Sequence, residues 1–170
     1  MEQAGKSRLE QQLVTDMLRA LKNQAMRRHV SFDYFQIESG ATAIGIPDLF
    51  IMLGGKGLWV ECKRFHSDWN LEKGVKSSRT VKFEGSVLFR PGQARMMTKL
   101  HQHGENVALC AISEYGDVWV HKWGSDEHDY NAENARYHIY HKDAVYQTHV
   151  LDAFCTALRV DIPLLSEIDD

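Results

Sequence analysis

Three charged side chains interrupt an otherwise apolar part of the sequence. Asp48, Glu61 and Lys63 lie among runs of isoleucine, leucine, valine and tryptophan. A buried acid or lysine costs free energy unless it is paired or has a function. Two neighbouring carboxylates repel one another unless a cation lies between them, and Mg²⁺ prefers such oxygen ligands. The structural alternative is a turn at Asp48 and an ion pair between Glu61 and Lys63; we favour a catalytic metal site.

A glycine-rich turn predicts how these three residues meet. Residues 54–57 separate the apolar run after Asp48 from the run that contains Glu61 and Lys63, which indicates a β-hairpin. If the hairpin closes about all four turn residues, Asp48 lies opposite Lys63. Glu61 then lies diagonally across on the same face, with Cβ atoms roughly 7–8 Å apart. Both carboxylates can reach one cation, while Lys63 could orient or deprotonate a water or neutralise a phosphate.

The surrounding pattern predicts the elements that carry these residues. Apolar residues recur every three or four positions over residues 7–28 and predict a first helix, with Ser7 and Glu10 as a capping box at its start. Pro91 suits the first turn of a second helix that ends near residues 103–104. Strands are predicted at residues 30–39, 46–53, 58–65, 81–83, 87–89, 107–113 and 117–123, and a last helix at residues 142–159. This order of elements predicts a mixed α/β domain.

The composition is typical of a globular protein. The 170 residues are 44% hydrophobic and 25% charged, with a mean hydropathy of −0.39. No apolar run approaches the roughly 20 residues of a membrane span, and no signal peptide is visible, so we expect a cytoplasmic protein without a membrane partner. Three widely spaced cysteines without a CxxC pair argue against a disulfide framework or a zinc ribbon.

Charge is unevenly distributed along the chain. The net charge of −3, taken alone, argues against a nucleic-acid partner. Between Lys63 and Lys99, however, nine Lys/Arg residues stand against three acids, whereas from Glu114 to Asp170 four stand against twelve. The basic segment is compatible with a face that binds a polyanion and equally with an ordinary solvated loop.

Gly45-Ile46-Pro47-Asp48 is followed, twelve residues further on, by Glu61-Cys62-Lys63. This pair of motifs resembles the PD-(D/E)xK nuclease superfamily, in the form found in Holliday-junction resolvases and VRR-NUC nucleases. The resemblance implies a Mg²⁺-dependent DNA endonuclease, with Mn²⁺ as a substitute, that selects junctions, flaps or nicks and pairs as a homodimer to cut two strands. The alternatives are a restriction-type enzyme, a binding module of the same fold without catalysis, and a purely structural domain.

The same resemblance extends to residues outside the hairpin. It implies that Gln93 approaches the catalytic Asp48, Glu61 and Lys63, although the 29 residues after Lys63 exceed the spacing of minimal members. It also implies metal contacts from Glu10, whose capping box is a complete structural explanation, and from the backbone carbonyl of Cys62, whose thiol we expect in the core. Phosphate contacts are expected from Arg64, Lys73, Lys76, Arg79, Lys82, Arg90 and Arg95.

The resemblance implies a restriction-endonuclease-like fold with an α-β-β-β-α-β core over about residues 7–113. A basic insertion at about residues 66–90 interrupts this core. A C-terminal extension at about residues 116–170, with a β-hairpin and a helix, has no counterpart in the family pattern. Residues 1–170 are thus expected to form one nuclease domain.

Overall fold

Twelve helices and strands lie within the described part of the chain. The computed structural model describes residues 8–37, 45–64, 66–67, 84–90, 92–112, 118–124, 136–140, 145–146 and 150–161. Its helices are α1 (Arg8–Arg27), α2 (Gln93–Gln102) and α3 (Val150–Leu158). Its strands are β1 (Phe32–Gln36), β2 (Leu49–Leu53), β3 (Lys56–Arg64), β4 (His66–Ser67), β5 (Glu84–Leu88), β6 (Val107–Ile112), β7 (Val118–Lys122), β8 (Arg136–Tyr140) and β9 (Val145–Tyr146).

Six strands form one mixed sheet in the order β1-β2-β3-β6-β7-β9. β3 and β6 are parallel, and the chain between them passes through α2; the other neighbouring strands are antiparallel. α1 and α3 pack on one face of this sheet, and α2 packs on the other. β4, β5 and β8 form a second sheet. The order α1-β1-β2-β3-α2-β6, with β4 and β5 inserted before α2, confirms the predicted mixed α/β class and its core order.

α1 forms where its apolar periodicity predicts. Leu13, Met17 and Leu21 are buried on one stripe of the helix and face the sheet. Gln24 also ties α1 to α3, because its Oε1 accepts a hydrogen bond of 2.9 Å from the backbone N–H of Leu151. The first helix is thus held by the core and by the C-terminal extension together.

The C-terminal extension differs from its prediction. A helix was expected over residues 142–159, but β9 occupies Val145–Tyr146 and α3 begins only at Val150. The strand β8 was not predicted. Both strands lie in a stretch rich in tyrosine and β-branched residues, which favour strands over helices. Since β7 and β9 extend the main sheet and β8 pairs with β5, the extension is an integral part of the fold.

Phe154 fixes α3 to the sheet and is fully buried in the larger core cluster. Replacing Phe154 by Ala should destabilise the protein by about 3–5 kcal/mol, because the lost transfer energy and the cavity both count. Urea unfolding measures this difference. Thr156→Ala, at an exposed position of the same helix, should change stability by less than about 1 kcal/mol. A Phe154→Ala loss as small as that of the control would contradict the docking of α3.

All three cysteines are buried thiols that form no disulfide. Burial, with a smaller contribution from Asp152, raises the pKa of the Cys155 thiol from 9.0 to about 11, while Arg28 opposes the change. The unfolded chain therefore loses this proton first. We expect stability to fall as the pH rises from 9 towards 11, and Cys155→Ala to lose less stability over this range. Urea unfolding at both pH values measures this, and an equal loss in the two proteins would contradict it.

Several sequence predictions fall outside the described residues. These are the capping residue Ser7, a strand at residues 81–83 and the hairpin turn at residues 114–116. The strand predicted near residues 87–89 corresponds to β5, at Glu84–Leu88. Of the helices that the structure describes, none has the length and apolar character to cross a membrane.

Candidate active site

β2 and β3 meet in a tighter hairpin than the sequence predicted. The turn consists of Gly54 and Gly55 alone, and Leu53 pairs with Lys56. Both glycines have positive φ, 57° and 81°, as the two central residues of a type I′ turn require. Two successive glycines allow this shorter turn. Because Leu53 pairs with Lys56, the predicted four-residue turn is wrong.

The shorter turn shifts the register by two residues. Leu49 pairs with Val60, and one further step of this register places Asp48 opposite Glu61. The predicted pairing of Asp48 with Lys63 is therefore wrong. Because side chains alternate with a period of two, a shift of two residues keeps all three side chains on the same face. Continued by this one step, the register places the two carboxylates directly opposite each other, which is closer than the predicted diagonal arrangement.

Alternation along β3 sorts its side chains between the two faces. Val60 and Cys62 belong to the core under α1 and α3, as predicted for the Cys62 thiol. Glu61 and Lys63 point to the face that α2 covers, where they are 1% and 6% exposed. This placement puts an acid and a lysine, both almost free of solvent, at the carboxyl end of β3.

Gln93, the first residue of α2, connects Glu61 and Lys63. Its Nε2 donates a hydrogen bond of 2.8 Å to Oε1 of Glu61, and its Oε1 accepts one of 2.6 Å from Nζ of Lys63. Lys63 Nζ is also 3.3 Å from Glu61 Oε1. The structure therefore brings together three of the predicted catalytic residues in one buried triangle. Hydrogen bonds in which one partner is charged are strong in such surroundings, and removing one member leaves the others unsatisfied.

The backbone before α2 fixes the orientation of the Gln93 amide. The N–H of Arg90 donates a hydrogen bond of 2.8 Å to Oε1 of Gln93, so that oxygen has two donors. Because Oε1 is held on this side, Nε2 is directed to Glu61. Gln93 is thus an oriented bridge between the acid and the lysine.

Gly45, for which the sequence predicted no role, brings the Asp48 segment against the start of α2. Its φ is +96°, and a Cβ atom at this position would lie 2.5 Å from the carbonyl oxygen of Gly92. Only glycine tolerates both this conformation and this approach. The sequence signal was present, since Gly45 opens the first of the two motifs.

Gly45→Ala should therefore disturb the site with a small volume change. The methyl group would push the Asp48 segment away from Gly92 and Gln93, and we expect a loss of roughly 1–3 kcal/mol in stability together with a loss of activity. Gly104→Ala is the matched control, because Gly104 also has positive φ but has no atom within 4 Å of the added methyl group. Thermal unfolding and the cleavage assay compare the two; equal effects in both variants would contradict a role for the close approach.

The donor atoms at the hairpin fit a hard divalent cation. Oδ2 of Asp48 and Oε2 of Glu61 are buried oxygens that no hydrogen bond from the described residues reaches, while both residues have other interactions. Within the described ranges, no group of three or more His, Cys, Asp or Glu side chains could hold a metal. The sequence predicts a further ligand from the backbone, the carbonyl of Cys62. Two carboxylates, a carbonyl and waters suit Mg²⁺, which usually keeps several waters.

The backbone of Cys62 lies on the correct edge of β3 to provide that carbonyl. The N–H of Trp59 donates to the carbonyl of Asn106 on the β6 side, so by alternation the polar groups of Cys62 point to the β2 side. There the register reaches Pro47, which has no N–H to donate. The role of the Cys62 carbonyl as a metal ligand stays a prediction.

Glu10 lies in the first turn of α1, and α1 packs on the opposite face of the sheet from Gln93. Its contribution to a metal site stays a prediction. Of the predicted phosphate contacts, Arg64 is half-buried at the end of β3, Arg90 is exposed before α2, and Arg95 is exposed on α2. The other four, Lys73, Lys76, Arg79 and Lys82, lie outside the described residues.

Comparisons with known proteins identify no family for this chain. No family model matches the sequence, and no curated protein does. Among solved structures, the Holliday junction resolvase Hjc of the archaeal hyperthermophile Archaeoglobus fulgidus is similar, with a TM-score of 0.45 and 9% sequence identity. The match covers 81% of this chain and 97% of Hjc. At this level of likeness, any function must be argued from the residues of this chain.

Proposed function

We propose that this chain is a Mg²⁺-dependent endonuclease that cleaves DNA and selects branched, flapped or nicked forms. The observation that carries the proposal is the buried triangle of Glu61, Lys63 and Gln93. The register of β2 and β3, continued by one residue, places Asp48 opposite Glu61 of this triangle. Burying an acid and a lysine costs more free energy than packing apolar side chains there. Such an arrangement is typical of sites at which a reaction, rather than stability, determines the residues.

Asp48 and Glu61, with the carbonyl of Cys62, are the residues that would hold the metal. Mg²⁺ would stabilise the negative charge that develops on the phosphate and lower the pKa of a water. Mn²⁺ is expected to substitute, because it accepts the same carboxylate and carbonyl ligands.

Lys63 is the residue that would contact the attacked phosphate. Its Nζ donates to Gln93 and lies beside Glu61, so a phosphate oxygen that enters there meets a fixed ammonium group. Hydrolysis forms a bond between a water oxygen and phosphorus and breaks one P–O ester bond, and the leaving oxygen ends with a proton. The ammonium neutralises charge on the phosphate during this exchange, and its hydrogen bond to Gln93 fixes its position.

The exposed side of α2 offers a route for the DNA backbone away from this site. Arg90, Arg95 and Lys99 are exposed, and residues 85–104 contain no acid although the chain has a net charge of −3. Lys99 was not among the predicted contacts; the lack of acids around it was the signal. Phosphate contacts of this kind hold the backbone without reading the sequence, which agrees with selection of DNA shape.

A cleavage panel tests the proposal. The purified protein is incubated with supercoiled plasmid, linear duplex, single-stranded, flap and four-way-junction DNA, with Mg²⁺, Mn²⁺ or EDTA. We expect cleavage with either metal, none with EDTA, and faster cleavage of the flap or junction than of linear duplex. Paired cuts in the junction would support a homodimer. Salt-dependent binding without any cleavage would identify a binding module instead, and a lack of binding at low salt would overturn both functions.

A further inference from the structure

Phe89 borders the ammonium group of Lys63. Nζ of Lys63 lies over the Phe89 ring, 5.9 Å from its centroid, and Phe89 is 4% exposed. An ammonium within about 6 Å of an aromatic face is attracted to it, more strongly where water is excluded. The ammonium is therefore in range of an aromatic face, besides its contacts with Gln93 and Glu61.

The Phe89 ring is itself fixed by the core. It packs edge-on against Trp123, with centroids 5.6 Å apart and an interplanar angle of 78°. Trp123 is fully buried, and its Nε1 donates a hydrogen bond of 2.9 Å to Oγ1 of Thr98 on α2. The residue after Phe89 is Arg90, whose N–H holds Gln93. The short segment before α2 therefore contacts Lys63 through Phe89 and Gln93 through Arg90.

We propose that Phe89 is a positioning residue that holds the Lys63 ammonium against Gln93 and Glu61, with Trp123 fixing its ring. This inference rests on the proposed function, because Lys63 is there the contact to the phosphate. Phe89 belongs to the apolar cluster that also contains Met97 and Leu109, so its ring faces Nζ from a side that excludes water. An aliphatic side chain of similar size fills the volume and lacks this attraction.

A double-mutant cycle in urea unfolding tests the interaction without any substrate. Phe89→Leu and Lys63→Met are measured singly and together. We expect the coupling to change the unfolding equilibrium constant by roughly twofold to thirtyfold. Phe154→Leu, on the opposite face of the sheet, is the control and should combine with Lys63→Met additively. Additive behaviour of Phe89→Leu as well would overturn the proposal; should Phe89→Leu not fold, Phe89→Met takes its place.

Cleavage kinetics test whether the interaction serves the reaction. Phe89→Leu should lower kcat by roughly tenfold and change KM for DNA by less than about twofold, since the lysine is displaced and the DNA surface is intact. Phe89→Tyr keeps the aromatic face and should restore kcat. A raised KM with unchanged kcat, or no rescue by tyrosine, would overturn the positioning role. An inactive wild-type protein would overturn the proposed function alone, because the unfolding cycle still decides the Phe89–Lys63 interaction.

Discussion

Replacing Glu61 by Gln should abolish cleavage while DNA binding persists. The substitution preserves the size of the side chain and an oxygen that can accept the hydrogen bond from Gln93, but it removes the negative charge next to Asp48. A site that binds a divalent cation loses an essential ligand by this change. We expect kcat to fall by about a hundredfold to a thousandfold.

The measurement compares cleavage rates at saturating Mg²⁺ with DNA affinity in EDTA. Glu105→Gln is the matched control, because Glu105 is exposed and lies outside the site; its rate and affinity should equal those of the wild type. Cleavage by Glu61→Gln within about tenfold of the wild-type rate would contradict a metal-ligand role for Glu61.

Lys63→Met should lower both activity and stability. Methionine fills a similar volume, but in the metal-free protein Glu61, which is 1% exposed, then loses its ion pair with the ammonium group. Breaking a buried ion pair by removing one partner costs about 3–5 kcal/mol. Cleavage should fall by at least about a hundredfold, because the ammonium that neutralises the phosphate is absent.

A double variant separates the two effects of Lys63→Met. Adding Glu61→Gln removes the uncompensated buried charge, so the double variant should recover most of the lost stability and no activity. Urea unfolding and the cleavage assay measure the two properties. Lys22→Met, at an exposed position of α1, is the control and should leave both unchanged. Recovery of activity in the double variant would contradict the assignment of Lys63.

The proximity of Glu61 and Lys63 could be predicted from sequence because polar residues in a hydrophobic hairpin are a strong local signal. The alternation of Glu61, Cys62 and Lys63 determined which side chains share a face, and the structure agrees. The register could not be obtained with the same certainty. Gly54 and Gly55 permit a two-residue turn, and residues 54–57 also permit a longer one, so only the folded chain distinguishes the two registers.

Contacts between segments that are distant in the sequence could not be predicted from local sequence patterns. Nothing near Gly45 in the sequence indicates that Gly92 approaches it, and nothing near Lys63 indicates that Phe89 lies beside it. The prediction for the C-terminal extension was wrong for a related reason. A continuous helix was predicted over residues 142–159, but the strand at β9 is favoured by pairing with β7, a partner that lies more than twenty residues earlier.

The most direct test of the central claim is the location of a bound metal. Crystals of the wild-type protein are soaked in Mn²⁺, and anomalous scattering locates the ion independently of any activity. We expect a peak between the carboxylates of Asp48 and Glu61, within ligand distance of the Cys62 carbonyl, and no peak there in Glu61→Gln. An empty position between these two carboxylates at saturating Mn²⁺ would contradict the account.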